Sequence, residues 1–157
     1  MSRFADIPAV AIQVSRNVVV ASVQVDLDDD VLDRFRDDLL RQVHRSGSHG
    51  VILDLSGLET LDSEEFAALR RIIAATAILG AKSVLVGLRP GVVSALIEAG
   101  VDVEGLHTAI DLDTAFALLQ PDAETEHPPE PEVATETDIE SDAEQAPAVD
   151  QSLEDEP

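Results

Sequence analysis

The chain has 157 residues, no cysteine and a formal net charge of −22 at pH 7. That length favours one domain, the missing cysteines exclude disulfides and thiolate chemistry, and the charge argues against nucleic acid or an anionic membrane surface as partner. The charge is uneven: residues 120–157 hold fourteen Asp and Glu, no Lys or Arg, and six of the eight prolines, whereas residues 1–119 carry all ten basic residues against eighteen acids. The second segment has too little apolar content to offset the entropy of ordering. The expectation is a folded unit over 1–119 and a disordered acidic tail over 120–157.

In chain order, the runs AVAIQV (9–14) and VVVASVQV (18–25) read as strands, with Ser15-Arg16-Asn17 as a hairpin connection. The second run is too continuously apolar for a one-sided strand and belongs inside a sheet. Asp28, Asp29 and Asp30 then gather at a helix start, where the dipole favours negative charge. Leu32, Phe35, Leu39, Leu40 and Val43 form one apolar stripe opposite Asp33, Arg34, Asp37 and Arg41, and Gly47 and Gly50 punctuate its end.

VILDL (51–55) is a short buried strand. The next helix turns Phe66, Leu69, Ile72, Ile73 and Thr76 or Ala77 inward and closes near Gly80. SVLVGL (83–88) is another strand, and Pro90 sits at a helix's first position, where its missing N–H matters least. That helix passes Val93, Leu96 and Ile97 and stops at Gly100. A short strand near Thr108–Ile110 and a helix from Asp111 to Leu119 complete the order β-β-α-β-α-β-α-β-α. Strands alternating with helices predict an α/β fold, a mixed, mostly parallel sheet covered by about four helices.

The opening MSRFADIPAV lacks the apolar core of a signal peptide, and no apolar run reaches the roughly 18–20 residues that span a bilayer. A cytoplasmic protein is the expectation. His44, His49, His107 and His127 match no metal-ligand spacing and read as surface or loop residues, so neither metal nor cofactor is expected. No nucleophile triad suggests itself, and an enzyme is not the expectation. Ser56-Gly57 lacks phosphate-loop spacing, Arg89-Pro90-Gly91 reads as a turn, and Arg70-Arg71 reads as a surface partner of Glu64-Glu65.

The informative seam is Asp62-Ser63-Glu64-Glu65, between a strand and a helix. Asp62 suits an N-cap and Glu65 stands three residues on, the pattern of a capping box. Any helix can begin this way. A serine in such a first turn is also exposed, and a phosphate on it would face free backbone N–H groups while adding about −1.5 to −2 charge beside three carboxylates.

Residues 7–119 resemble the STAS domain family of anti-sigma factor antagonists, and within it the short, RsbS-like stressosome type. The likeness lies in IPAVAIQVSRNVVVASVQVDLDDD, in GVILDLSGLETLDS and above all in LGAKSVLVGLRPGVVSALIEAGVDVEGLHTAIDLDTAFALL. The resemblance implies a non-enzymatic partner switch, with Ser63 as the phosphorylated residue. It implies a serine kinase of the RsbT type held by the unmodified protein and released on phosphorylation, and a PP2C-type phosphatase that resets it. It also implies assembly, homo- and hetero-oligomeric, with RsbR-like STAS proteins. Asp62, Glu64 and Glu65 are then the neighbours a kinase would read, the two glutamates standing where the family usually has apolar, small or aromatic residues. Two other readings remain open: a structural scaffold in which Ser63 is never modified, and a STAS domain that binds a small ligand.

Overall fold

The structure, a computed structural model, describes residues 10–121. The acidic segment read as a disordered tail lies outside the described residues, apart from Gln120 and Pro121. Five strands and four helices follow one another as β1 (Val10–Ser15), β2 (Val18–Val23), α1 (Asp29–Ser46), β3 (Gly50–Asp54), α2 (Ser63–Ile78), β4 (Lys82–Val86), α3 (Pro90–Glu98), β5 (Thr108–Ala109) and α4 (Leu112–Leu118). The α/β class and the mixed sheet are as the sequence predicts.

The strands lie in the sheet in sequence order, β1 to β5. β1 runs antiparallel to β2, and the other three pairs are parallel. The β1–β2 connection is a two-residue hairpin in which Arg16 and Asn17 both have positive φ, 53° and 61°, the handedness that matches strand twist. Three right-handed crossovers progressing in one direction across a sheet must all lie on the same face. Accordingly α1, α2 and α3 share one core with that face, through Phe35, Leu39, Phe66, Leu69, Val92 and Leu96. The other face is covered by α4, whose Ala115 and neighbouring Leu119 pack on Val18, Val20, Ile52, Val84 and Val86. His49, expected as a surface or loop residue, lies in the α1–β3 loop but is half-buried: its Nε2 lies 2.7 Å from the Leu119 carbonyl and its Nδ1 3.0 Å from the Asn17 amide.

Two strands are shorter than their apolar runs. β2 ends at Val23 rather than Val25 because the chain leaves the sheet beside Gly57, whose missing side chain lets it approach the Val23 carbonyl; a Cβ there would stand 2.5 Å from that oxygen. β4 ends at Val86 because Gly87, at φ 79°, turns the chain against Ser56. The packing of α3 is one-sided. Val92 and Leu96 are buried, whereas Val93 and Ile97 point outward, since β5 is too short for the helix to be covered on its far side. Among the described residues no helix is long and apolar enough to cross a membrane.

Candidate functional site at the start of α2

The parallel strands β2, β3 and β4 end on one rim of the sheet, and each feeds the N-terminus of the following helix. Open α/β sheets form their crevices at such a rim. The β3–α2 connection is held tightly there. The Asp54 carboxylate accepts from the Ser56 N–H at 3.0 Å, Leu58 N–H donates to the Leu55 carbonyl at 3.0 Å, and the Arg89 guanidinium donates to the Ser56 carbonyl at 3.3 Å. Leu55, Leu58 and Leu61 are buried beneath it. Arg89 thus braces this connection from the α3 side.

α2 then begins with a complete capping box. The Asp62 carboxylate accepts from the Glu65 N–H at 2.8 Å, and the Glu65 carboxylate accepts from the Asp62 N–H at 2.8 Å. Glu65 is therefore half-buried and turned back on its own helix, while Asp62, Ser63 and Glu64 are exposed. Ser63 is the first helical residue. Its own N–H and that of Glu64 belong to the first turn and have no carbonyl one turn back to bond. A tetrahedral anion on the Ser63 hydroxyl would meet those two donors and, from the side, the carboxylates of Asp62 and Glu64.

Two grooves flank the start of α2, and Ser63 lines one of them. On the α3 side an opening of about 450 Å³ is lined by Thr60, Leu61, Ser63, Val92, Ala95 and Ala99, among others, and is mostly apolar. On the α1 side an opening of about 530 Å³ is bounded by Asp28, Asp29, Asp62, Glu64 and Glu65, with Leu27 and Ala68 in its walls and Arg71 on its α2 flank. Asp28 caps α1 by accepting from the Val31 N–H at 2.8 Å, so the two acidic helix starts face one gap. This corner gathers the carboxylates of Asp28, Asp29, Asp62, Glu64 and Glu65 beside the apolar walls of the α3-side groove. Among the described residues no group of three or more His, Asp or Glu is placed to hold a metal ion.

The four residues singled out from sequence sit together by chain continuity. What the sequence reading did not join to them is the α1 start: Asp28 and Asp29 were legible as a helix start, but only the same-face crossovers bring that start beside α2. Arg70 and Arg71 do not pair with Glu64 and Glu65. The pairs stand five to seven positions apart on the helix, outside the i, i+3 and i, i+4 spacings that bring side chains together, and Glu65 is engaged in the cap. Arg70 instead reaches Asp102 at 3.1 Å and also donates to the Asp102 backbone carbonyl. The Glu104 N–H, and then Arg70, hold the Asp102 carboxyl below the usual carboxylate range.

Comparisons with known proteins give the family of the fold. The STAS domain pattern matches residues 9–115. The chain is 24% identical over 117 residues to RsbT co-antagonist protein RsbRA of Bacillus subtilis (strain 168), covering 68% of this chain and 43% of that protein. It therefore spans less than half the length of that relative. Among solved structures, a serine-to-glutamate variant of RsbS from Moorella thermoacetica is 29% identical with a TM-score of 0.61, over 70% of this chain and 93% of that one. A chain from the stressosome, a signal integration and transduction hub, gives the same identity and TM-score over 69% of this chain and 95% of that one.

Proposed function

The chain belongs to the STAS domain family, and from that premise we propose that it is a non-enzymatic subunit of a stressosome-type assembly that switches partners through Ser63. In its unmodified form it holds a serine kinase of the RsbT type against the α2 corner. Phosphorylation of Ser63 adds charge to a corner already rich in carboxylates, and the kinase leaves. A PP2C-type phosphatase restores the binding form, and RsbR-like STAS proteins co-assemble with it in the cytoplasm.

The observation that carries this reading is the exposed Ser63 at the first position of α2, lining the α3-side groove while its neighbours Asp62 and Glu64 line the acidic one. The relationship to RsbS and to a stressosome chain, each at 29% identity, supports the same reading. Asp62 and Glu64 flank the hydroxyl and are the side chains a kinase would meet first; Glu65 is committed to the cap and contributes through helix stability. A pull-down of the kinase on immobilised full-length chain tests the switch. Ser63→Ala should retain the kinase in the presence of ATP–Mg, and Ser63→Asp should release it. Equal retention by wild type, Ser63→Ala and Ser63→Asp would contradict it.

The complete capping box favours a second reading, since it accounts for Asp62 and Glu65 without any modification. There the chain is a scaffold subunit and Ser63 only begins a helix. Large particles that form normally, and release no kinase under any Ser63 substitution, are its signature.

A further inference from the structure

A third opening lies on the far side of α3 from Ser63. It has a volume of about 490 Å³ and its floor reaches the core at Phe66 and Leu96. Its lining includes Val93, Ile97, Val103 and Ile110, of which Ile97 is 65% and Ile110 88% exposed. Singly exposed aliphatics need no explanation, but four around one opening mark an interaction surface. Its origin is in the fold: β5 is two residues long at the edge of the sheet, so the helical layer stops at α3 and leaves that helix's outward face unpartnered.

Charge selects the occupant. Glu98 and Glu104, both exposed, are the immediate chain neighbours of Ile97 and Val103; Asp111 beside Ile110 caps α4 by accepting from the Thr114 N–H at 2.8 Å, and exposed Asp113 follows. Asp102 is occupied by Arg70. The basic side chains on the flanking elements are Arg89, which is turned to the Ser56 carbonyl, and Lys82 and His107, which line the adjoining opening beyond Leu85 and Leu106. A second copy of this chain docking here through the same face would set acid against acid. We propose that this groove receives an amphipathic segment of a partner protein, with aliphatic side chains for the floor and Lys or Arg for the rim. The same helix walls both openings, with Val92, Ala95 and Ala99 toward Ser63, Val93 and Ile97 away from it, and Leu96 shared by the two. The inference does not depend on Ser63 being phosphorylated.

Fluorescence anisotropy on the full chain tests it, with a labelled 18-residue amphipathic helix of Leu, Ala and Lys as probe. A version with Glu in place of Lys and dodecyltrimethylammonium as a small competitor complete the set. The Lys helix should bind about tenfold or more tightly than the Glu helix. Ile97→Asn combined with Ile110→Asn should weaken it by about tenfold or more, the scale expected for removing two aliphatic contacts. Both side chains are mostly exposed, so the fold should survive, which thermal unfolding checks. Asp28→Asn with Asp29→Asn, at the other acidic groove, should leave the affinity unchanged. Equal binding of the Glu helix, an unaffected Ile97/Ile110 variant, or loss in the Asp28/Asp29 variant overturns the proposal. So does an alkylammonium that binds as tightly as the helix, since the groove would then be a site for a small amphiphile.

Discussion

Removing the carboxylate of Asp62 isolates the contribution of the cap that presents Ser63. In Asp62→Ala the 2.8 Å bond to the Glu65 N–H is lost, while the reciprocal bond survives, because its donor is the backbone N–H of residue 62. Asp62 is exposed, so no cavity forms and water reaches the freed N–H. The loss is then the net value of one charge-assisted cap, about 1 kcal/mol within a range of roughly 0.5–2, not the larger penalty of a buried unpaired donor. With a urea slope of about 1.5 kcal/mol/M, that lowers the unfolding midpoint by about 0.7 M. Asp62→Ser keeps an acceptor at the same position and should recover most of the loss. The assay is equilibrium urea unfolding of the three proteins, with slopes compared to confirm a common unfolded state. If Ala, Ser and Asp at this position unfold at the same midpoint, the capping box does not stabilise the start of α2 and the reasoning fails.

Other outcomes follow from close contacts elsewhere. Gly57→Ala should destabilise by about 1–3 kcal/mol, because its Cβ would press on the Val23 backbone carbonyl, which cannot yield as a side-chain end would. Gly91→Ala, where nothing stands within 4 Å in the first turn of α3, should raise stability by up to about 1 kcal/mol in the same urea experiment. Thr76→Val removes the partner of the buried Ser83 hydroxyl, 2.8 Å away, at a cost of about 1–3 kcal/mol. The double change Thr76→Val with Ser83→Ala should recover part of that. Asp102 has its folded pKa depressed, so its contribution is present above the ordinary carboxylate pKa and is lost as pH falls through the lower folded value. Asp102→Asn should therefore flatten the acid end of the stability curve, read as urea midpoints between about pH 5 and 3.

The sequence announces the parts of this fold that depend on periodicity and caps. The α1 stripe, the apolar β2 and β3, Pro90 opening α3 and the Asp62–Glu65 pair all act through neighbours within one turn or one strand. What escapes is whatever depends on contact at a distance. Glycines read only as punctuation, or not read at all, set the strand ends: Gly57 and Gly87 matter because the chain passes Val23 and Ser56 within van der Waals range. His49 is the loop residue that the sequence makes it, but its bridging role is not legible there because its partners, Asn17 and Leu119, lie 32 and 70 residues away. The Arg70–Asp102 pair spans 32 residues and displaced a local pairing that the helix spacing does not support. The same limit applies to the site. Asp62-Ser63-Glu64-Glu65 is legible in one line of sequence, whereas the acidic groove that joins it to Asp28 and Asp29, and the apolar groove behind α3, exist only once the crossovers are laid on one face.

The most direct test of the central claim is site-resolved phosphopeptide mass spectrometry on the full chain, before and after incubation with the candidate RsbT-type kinase and ATP–Mg. The account predicts phosphate on Ser63, absent in the Ser63→Ala protein, with release of the kinase following the same time course. An unmodified Ser63, under conditions in which the kinase phosphorylates another substrate, would contradict it and leave the α2 corner as a capped helix start in a scaffold.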